Sequence, residues 1–364
     1  MGRLPNFALN VWKSLILIHT KNGIMKHAIQ HLIDGNHLAE AEASEVMRQI
    51  MEGQATDAQI AALAVALRMK GETVEEITGF ARVMREYAVH VPVSTDKVIV
   101  DTCGTGGDSL KTFNVSTAAA LVVAADGRLA VAKHGNRAAT SKCGSADVLE
   151  ALGVKLDLPP EQLGKCIEEV GIGFLFAPSM HPSFRYAAGP RKEIGIRTIF
   201  NLLGPLTNPA GASVQLIGVY DGAVCETLAH VLRNLGSHRA LLVHGVDGLD
   251  ELSTLGLTAV SELKDGQVTS YTLDPEWDLG IARATIEHIA GCESPAENAD
   301  ILLHILKGKD RGPHRDIVLL NAAGVLLVAG VEEDLEAGME RAAALIDNGG
   351  AIASLERLKE FTNA

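Results

Sequence analysis

Apolar residues recur at helical spacing over the first quarter of the chain, and no strand pattern interrupts them. Four short helices are predicted between residues 25 and 90, and the first two cover Met25–Ile33 and Ala39–Met51. Thr56 is placed to cap the third helix, and Thr73-Val-Glu-Glu76 has the spacing of a capping box that opens the fourth. This part of the chain is therefore predicted to form an all-helical unit.

From Lys97 onward, short apolar runs alternate with helical patterns. Strands are predicted over Lys97–Val100, Leu129–Lys133, Gly173–Phe176, Val214–Val219 and Ala240–His244. Helices are predicted over Ser116–Ala125, Ser145–Leu152, Ala223–Leu235 and a segment that Pro159-Pro160 opens. Two alternating runs around Lys264-Asp-Gly266 predict a β-hairpin, and the last part of the chain is predicted to be helical. Such alternation indicates a mostly parallel sheet covered by helices.

The predicted fold class is α/β, with a small all-helical N-terminal domain and a large α/β domain that has a mostly parallel central sheet. The expected helical domain covers residues 25–95, joined by part of residues 182–204, and the α/β domain covers residues 96–364. Residues 1–24 are assigned to an N-terminal extension of unknown function. Lys13 and His19 interrupt the apolar run that a signal peptide needs.

The composition is that of a globular protein, because 47% of the 364 residues are hydrophobic and 21% are charged. A net charge of −13 argues against a nucleic-acid binder. Five widely spaced cysteines without a CxxC motif argue against a disulfide framework or a zinc site and fit a reducing cytoplasm. The longest apolar run, Ile317–Val331, contains Asn321 and Gly324 and is too short to span a membrane, so it predicts a buried core helix.

A glycine-rich segment, Asp101–Thr117, lies between a predicted strand and a predicted helix. Glycines let backbone amides approach an anion closely, and the amide end of a helix favours phosphate. The segment is not a P-loop, because Leu110 stands where glycine is needed, and Ser109 breaks the dinucleotide fingerprint. Taken alone, it leaves a phosphate-binding loop and a tight strand-to-helix turn both open.

Further polar segments follow predicted strands, where ligands bind in open α/β sheets. Lys133–Asp147 is rich in hydrogen-bond donors, which makes phosphate binding the better hypothesis for both loops. Asp250 and Glu251 follow another strand, and opposite two phosphate loops they indicate a Mg²⁺ site rather than a solvated turn. Arg191 fits either a charge on a helix surface or a grip on a substrate carboxylate.

This ordered set of motifs resembles the anthranilate phosphoribosyltransferase family. The motifs are LRMKGET at Leu67–Thr73, GTGGD at Gly104–Asp108, N-x-S-T at Asn114–Thr117, KHGNR at Lys133–Arg137, GIRTIFNLLGPLTNP at Gly195–Pro209 and DGLDE at Asp247–Glu251. The resemblance covers nearly everything from Met25 onward, whereas Thr102, Cys103 and Lys111 depart from the expected glycine loop. It implies the nucleoside phosphorylase-like two-domain fold of type III phosphoribosyltransferases.

The resemblance implies an enzyme that joins anthranilate to 5-phosphoribosyl 1-diphosphate (PRPP). The products are N-(5-phosphoribosyl)anthranilate and diphosphate, and the reaction is the second step of tryptophan biosynthesis from chorismate. Mg²⁺ is the implied cofactor, with two ions per subunit. The implied protein is a cytoplasmic homodimer built through the helical domain, with neither nucleic acid nor membrane as a partner. No covalent nucleophile is implied, so no cysteine is assigned a role.

The resemblance also implies which residues contact each ligand. PRPP is expected to contact Gly104, Gly107, Asp108, Thr112, Asn114, Val115, Ser116, Thr117, Lys133, His134, Gly135, Asn136, Arg137, Ser141 and Ser145. Anthranilate is expected to contact Gly104, His134, Asn136, His181 and Arg191. Mg²⁺ is expected to be held by Ser116, Asp250 and Glu251.

Three other functions are weighed against this one. A pyrimidine nucleoside phosphorylase shares the fold but has a K-x-S-x-G-G-like loop, whereas Gly104 follows Cys103 here. A nucleic-acid-binding paralogue should have a basic surface and lack the residues expected to contact anthranilate. A type I phosphoribosyltransferase needs two adjacent acids after an apolar strand, and here Asp101 is followed by Thr102.

Overall fold

A computed structural model describes residues 21–106, 110–138 and 143–364. The described residues divide into two compact units. One unit extends to Ala88 and also includes His181–Thr207, and the other comprises Val89–Met180 and Asn208–Ala364. Three predicted site residues, Gly107, Asp108 and Ser141, lie outside the described part of the chain, as do positions 1–20 of the N-terminal extension.

The helical unit begins with four helices. Helices α1 to α4 cover Lys21–Ile33, Glu40–Met51, Asp57–Lys70 and Val74–Glu86. The hydroxyls of Thr56 and Thr73 accept hydrogen bonds from the amides three residues later, so both predicted caps are confirmed. Glu76 is fully buried and accepts hydrogen bonds of 2.9 Å from the Thr73 amide and the Lys70 ammonium. This ion pair joins the end of α3 to the start of α4.

The chain then builds the first half of the α/β unit. Its elements are β1 Val98–Gly104, α5 Val115–Ala124, β2 Leu129–Gly135, α6 Ser145–Ala151, α7 Pro160–Val170, β3 Ile172–Phe176 and α8 Ala177–Met180. The predicted end of the first strand at Val100 is wrong, because β1 continues to Gly104. Residues Asp101 to Gly104 pair with a strand that comes more than 100 residues later, a partner that no local pattern reveals.

After α8 the chain returns to the helical unit and then completes the α/β unit. The helical unit gains α9 Arg185–Ile194 and α10 Phe200–Leu203, with 3₁₀ turns at Pro182–Phe184 and Gly204–Leu206. The α/β unit gains β4 Val214–Gly218, a 3₁₀ turn at Gly222–Val224, α11 Cys225–Asn234, β5 Arg239–Gly245, β6 Thr258–Lys264 and β7 Gln267–Leu273. The remaining helices are α12 Pro275–Leu279, α13 Ile286–Ile289, α14 Pro295–Leu306, α15 Pro313–Val328, α16 Leu335–Asp347 and α17 Gly350–Asn363.

The described strands form one seven-stranded sheet in the order β3-β2-β1-β4-β5-β6-β7. Strands β3, β2, β1, β4 and β5 are parallel, and β6 pairs antiparallel with both β5 and β7. Asp265 and Gly266 both have positive φ, at 51° and 74°, as the predicted hairpin turn requires. The predicted fold class is thus confirmed, and the carboxyl ends of the central parallel strands meet at one edge of the sheet.

The core of the α/β unit is formed by the sheet and the helices that cover it. Helix α15 contains most of the apolar run predicted to be buried, and Ile317, Leu320 and Leu326 along it have no exposed surface. Within the described ranges, no helix has both the length and the apolar character needed to cross a membrane.

Candidate active site

The glycine-rich segment follows β1 and is contacted by Asp250. Gly106 has a φ of +67°, and its amide donates a 3.0 Å hydrogen bond to Oδ2 of Asp250. A Cβ atom on Gly104 would lie 2.5 Å from the same oxygen, and one on Gly218 would collide with the Asp250 carbonyl. Gly104 and Gly218 are paired in register across β1 and β4. Glycine at position 218 is therefore required for the main chain of the Asp250 loop to reach the sheet, and glycine at position 104 leaves room for the Asp250 carboxylate.

Glu251 makes a second link between the acid pair and the glycine-rich segment. Its side chain is mostly buried, and Oε1 accepts a 3.1 Å hydrogen bond from the amide of Ser116. Ser116 is the second residue of α5, where backbone amides have no partner within the helix and the helix dipole favours an anion. The fold thus brings Asp250 and Glu251 to segments 144 and 135 residues earlier in the chain.

A buried ammonium group lies beside this corner. Lys133, at 3% exposure, donates from Nζ to the Thr102 carbonyl at 2.7 Å and to Oγ of Ser116 at 3.3 Å. Ser116 therefore contacts Lys133 through its hydroxyl and Glu251 through its amide. A fixed positive charge at the ends of parallel strands is what an anionic ligand needs when it leaves water.

Two hydrogen bonds link the loop of the predicted metal ligands to the glycine-rich segment, because Glu251 accepts from the Ser116 amide and Asp250 accepts from the Gly106 amide. Ser116, Asp250 and Glu251 offer hydroxyl and carboxylate oxygens, the hard donors that Mg²⁺ prefers. In residues 21–106, 110–138 and 143–364, no group of three or more His, Cys, Asp or Glu side chains could hold a metal ion. Mg²⁺ in phosphate-handling enzymes is commonly held by one or two carboxylates together with substrate oxygens. The donor chemistry present here fits that mode of binding.

Asp101, which none of the predicted binding sites includes, is fully buried in β1. Its Oδ1 accepts a 3.1 Å hydrogen bond from the His134 amide, and its Oδ2 accepts one of 2.8 Å from Nδ2 of Asn208. Asn208 also donates to the Ala132 carbonyl at 2.8 Å. Burial raises the pKa of Asp101, an effect that Lys133 and the Asn208 hydrogen bond reduce. The signal available in the sequence was an acidic residue directly after an apolar run.

Two hydrogen bonds join Asn136, in the KHGNR segment, to Ser145 at the start of α6. The Asn136 amide donates to Oγ of Ser145, and that hydroxyl donates back to the Asn136 carbonyl, both at 3.2 Å. The side chain of Phe174 and the Ser145 hydroxyl fill the space where a Cβ atom on Gly135 would lie. The segment thus approaches the start of α6 as closely as its glycine allows.

Arg137 points toward acidic side chains of α6. Its guanidinium donates to Asp147 at 3.1 Å and to Glu150 at 2.8 Å, and it lies 5.4 Å from the centre of the Phe176 ring. The Asp147 carboxylate also accepts hydrogen bonds of 2.9 Å from the amides of Ala138 and Gly144. A carboxylate of the chain itself therefore already occupies amides near the start of α6, where the sequence suggested an anion site.

The start of α5 contains polar atoms that lack partners. Nδ2 of Asn114 donates to the Cys143 carbonyl at 3.1 Å. Among the described residues, Oδ1 of Asn114 and Oγ1 of Thr117 are buried and make no hydrogen bond. A polar ligand bound at the start of α5 would satisfy both atoms. Thr112 pairs with Ala290 in an isolated bridge, and the Val115 side chain belongs to the core.

Comparison with known proteins places this geometry in a family. The α/β domain of a glycosyl transferase family matches residues 96–352, and its helical bundle domain matches residues 26–88. The anthranilate phosphoribosyltransferase of Moorella thermoacetica is 55% identical over 336 residues, which are 92% of this chain and 97% of that protein. The same enzyme of Symbiobacterium thermophilum is 56% identical over 339 residues, 93% and 98% of the two chains. The chain belongs to the anthranilate phosphoribosyltransferase family.

Solved structures agree with this assignment. The crystal structure of anthranilate phosphoribosyltransferase from Thermus thermophilus matches with a TM-score of 0.87 and 46% identity, covering 93% of this chain and 99% of that one. A Saccharomyces cerevisiae anthranilate phosphoribosyltransferase in complex with PRPP and Mg matches with a TM-score of 0.84 and 28% identity, covering 93% and 98%. The family and enzyme class that the motifs indicated are confirmed.

Two residues that anthranilate phosphoribosyltransferase motifs assign to the acceptor lie in the helical unit. His181 is 6% exposed, and burial lowers its pKa to about 4, so its ring is neutral at pH 7. The Arg191 guanidinium lies 5.0 Å from the centre of the Phe184 ring, and burial lowers its pKa. An arginine held against an aromatic ring has little freedom to lose when it binds a carboxylate.

The cysteines of this anthranilate phosphoribosyltransferase family member are all free thiols. Burial raises the pKa of Cys143 to about 11 and those of Cys166 and Cys225 to about 12, and it raises the pKa of Cys103 beside the glycine loop as well. These four thiols therefore stay protonated at neutral pH and are poor nucleophiles.

Proposed function

We infer that this protein transfers the 5-phosphoribosyl group from PRPP to the amine of anthranilate. The products are N-(5-phosphoribosyl)anthranilate and diphosphate, in tryptophan biosynthesis. The observation that carries the inference is the convergence of Asp250 and Glu251 on the Gly106 and Ser116 amides, next to Lys133. Relatives more than half identical to this chain carry the name of this activity, and a structural neighbour binds PRPP and Mg.

We propose that PRPP binds at the carboxyl edge of the parallel strands. Lys133 supplies positive charge, and the buried polar atoms of Asn114 and Thr117 gain hydrogen-bond partners. Ser116 takes part through its hydroxyl. The other residues proposed to contact PRPP are Gly104, Gly107, Asp108, Thr112, Val115, His134, Gly135, Asn136, Arg137, Ser141 and Ser145.

Ser116, Asp250 and Glu251 would hold Mg²⁺ directly or through water, and we propose two ions per subunit. When bound, Mg²⁺ neutralises negative charge that develops on the departing diphosphate. The chain contributes by orienting the two carboxylates, because each already accepts a hydrogen bond from a backbone amide. A calorimetric titration of Mg²⁺ into a mixture of the protein and PRPP tests the number of ions.

Bond making and breaking at the ribose need no covalent nucleophile. The amine nitrogen of anthranilate bonds to C1 of the ribose, the C1–oxygen bond to diphosphate breaks, and the amine releases a proton to solvent. An aniline-type amine is neutral at pH 7, so correct positioning supplies much of the rate. We propose that Arg191 holds the anthranilate carboxylate, with Gly104, His134, Asn136 and His181 as further contacts.

We also propose a homodimer formed through the helical unit. Met69 on α3 is 84% exposed and Ile33 at the end of α1 is 65% exposed, which is unusual for large apolar side chains. Sedimentation at micromolar concentration tests this, and a monomer would contradict it. The same proposal includes a cytoplasmic location and the absence of a nucleic-acid partner. It also includes a helical domain of residues 25–95 joined by part of residues 182–204, and an α/β domain within residues 96–364. Localisation of a tagged chain tests the location, and a gel-shift assay tests for nucleic-acid binding.

The decisive experiment follows the fluorescence of anthranilate as it is consumed. Decay should require both PRPP and Mg²⁺, and it should be sharply slowed in Arg191→Ala but not in Arg68→Ala, which removes an exposed arginine of the same unit. No decay by folded protein that still binds PRPP would mean that the acceptor is wrong. Phosphorolysis of pyrimidine nucleosides would instead identify the phosphorylase reaction.

A further inference from the structure

Asn321 is the polar interruption of the apolar run in α15. It is fully buried, and every other residue from Ile317 to Val328 is apolar or glycine. A side-chain amide at such a position costs free energy unless its hydrogen-bonding groups find partners. The hydrogen-bond partners of the Asn321 side chain therefore indicate its role in the fold.

The amide of Asn321 pairs with both peptide groups of one loop residue. Its Oδ1 accepts a 3.0 Å hydrogen bond from the Leu252 amide, and its Nδ2 donates to the Leu252 carbonyl at 2.9 Å. Nδ2 also donates to the Ile317 carbonyl at 2.9 Å within the helix. A Cβ atom on Gly324, one turn further along, would lie 2.7 Å from the Leu252 side chain. Helix α15 thus binds the backbone of Leu252 through Asn321, and the Leu252 side chain packs against the helix at Gly324.

Leu252 immediately follows the acid pair. Strand β5 ends at Gly245 and β6 begins at Thr258, so no strand ladder fixes the loop that carries Asp250 and Glu251. The two carboxylates reach Gly106 and Ser116 from this loop. Asn321 gives the loop a fixed point one residue beyond Glu251, in place of the neighbouring strand that it lacks.

We propose that Asn321 is a positioning residue for the carboxylates of Asp250 and Glu251. By pairing with the peptide groups of Leu252, it fixes the backbone from which both acids approach Mg²⁺ and PRPP. The proposal rests on the proposed function, because it assigns the acid pair to the binding of the metal and PRPP. A purely structural role would instead confine the effect of Asn321 to folding stability.

Two substitutions separate these roles. Asn321→Asp keeps the shape, but an ionised carboxylate cannot donate to the Leu252 carbonyl. Asn321→Thr keeps a hydroxyl that can bond to the Ile317 carbonyl four residues earlier and loses the pairing with Leu252. Leu326→Ala, at another fully buried position of α15, is the matched control for lost stability alone.

The test measures PRPP binding by calorimetry over a range of Mg²⁺ concentrations without anthranilate, so no turnover occurs. We expect PRPP binding by the Asn321 variants to require at least about 10-fold more Mg²⁺ than binding by the wild-type protein. Loss of other residues that orient metal ligands has effects of this size. Hydrogen exchange of the peptide that contains Leu252 should speed up in these variants, and Leu326→Ala should match wild type in both measurements. A folded Asn321→Thr variant with wild-type Mg²⁺ dependence would overturn the proposal. A wild-type protein that fails to bind PRPP at any Mg²⁺ concentration would instead overturn the proposed function.

Discussion

The carboxylate of Asp101 and the side-chain amide of Asn208 meet at 2.8 Å in the interior of the α/β unit. Asn208 is the first residue of this unit after the chain returns from the helical unit. The other oxygen of Asp101 holds the amide of His134, the residue after Lys133. One buried carboxylate therefore ties the point where the chain re-enters the unit to the backbone of the KHGNR segment.

Replacing this carboxylate should weaken both folding and PRPP use. Asp101→Asn places an amide group against hydrogen-bond donors, which should lower the free energy of unfolding by about 1–3 kcal/mol. Because one amide oxygen cannot replace two carboxylate oxygens, either the His134 amide or the Asn208 side chain loses its acceptor, and kcat/KM for PRPP should fall as well. Urea denaturation and initial rates measure the two effects. Ser261→Ala, which removes a partly buried 2.9 Å hydrogen bond to Ser270 in the β6–β7 hairpin, should affect stability alone. An Asp101→Asn variant with wild-type kcat/KM would show that the network serves only folding.

Removing the buried ammonium should weaken binding of PRPP. Lys133→Met abolishes the charge-assisted hydrogen bonds to the ligand, and the Kd for PRPP should rise about 10- to 100-fold. Calorimetric titration with PRPP and Mg²⁺ measures this. Lys155→Met removes an exposed lysine of the same unit and should leave the Kd unchanged. Equal affinity of the two variants would exclude Lys133 from the PRPP site.

Removal of Mg²⁺ should abolish the stabilisation of the protein by PRPP. With Mg²⁺ present, PRPP at 100 times its Kd should raise the free energy of unfolding by about 2.7 kcal/mol. With a chelator present, the acid pair repels the ligand and most of this gain should disappear. Thermal unfolding with and without PRPP and Mg²⁺ gives the four values needed. Full stabilisation by PRPP in the presence of the chelator would contradict a role for the metal at this site.

Acid should destabilise the protein through His181. Burial lowers the pKa of the folded-state ring to about 4, whereas an unfolded histidine titrates near 6.5. As the pH falls from about 6.5 toward 4, the unfolded chain binds a proton that the folded ring does not, so stability decreases. The drop in unfolding free energy between pH 7 and pH 4.5 should therefore be smaller in His181→Gln by roughly 2–3 kcal/mol.

Urea denaturation at the two pH values measures this difference. His90→Gln, which replaces an exposed histidine, should lose stability in acid as the wild-type protein does. Other groups also respond to acid, including Asp126, whose pKa is lowered by hydrogen bonds to Arg128 and Arg341 against the opposing effect of burial. Because these groups are present in every variant, their contribution cancels when variants are compared at the same pH. Identical acid losses in His181→Gln and wild type would show that the ring is not buried in the neutral form.

Local features of the fold could be predicted from the sequence because their causes are local. Thr56 and Thr73 cap helices through amides three residues away, and Asp265-Gly266 forms its turn with its own two strands. The end of β1 could not be predicted in the same way. Thr102 and Cys103 look like the start of a loop, and only their pairing with Leu216 and Ile217 makes them part of a strand.

In the candidate site, too, the residues could be predicted from local sequence, whereas their long-range contacts could not. Lys133, Asp250 and Glu251 could be named from their positions after apolar runs, but their partners could not. The contacts of Glu251 with Ser116 and of Asn321 with Leu252 join residues 135 and 69 positions apart, and no spacing rule connects them. Motif resemblance supplied the residues, and the fold supplied the contacts among them.

Gly104 and Gly218 face each other across the middle of the sheet, and Asp250 occupies the room that two methyl groups would take, with its carboxylate beside Gly104 and its carbonyl beside Gly218. The absence of side chains at these two positions thus makes room for the loop that carries Asp250 and Glu251. Gly218→Ala would displace the loop that carries Asp250 and Glu251 without removing any charged side chain from the protein. Such a protein would serve as an inactive reference whose surface chemistry matches the parent, which deletion of a carboxylate cannot provide.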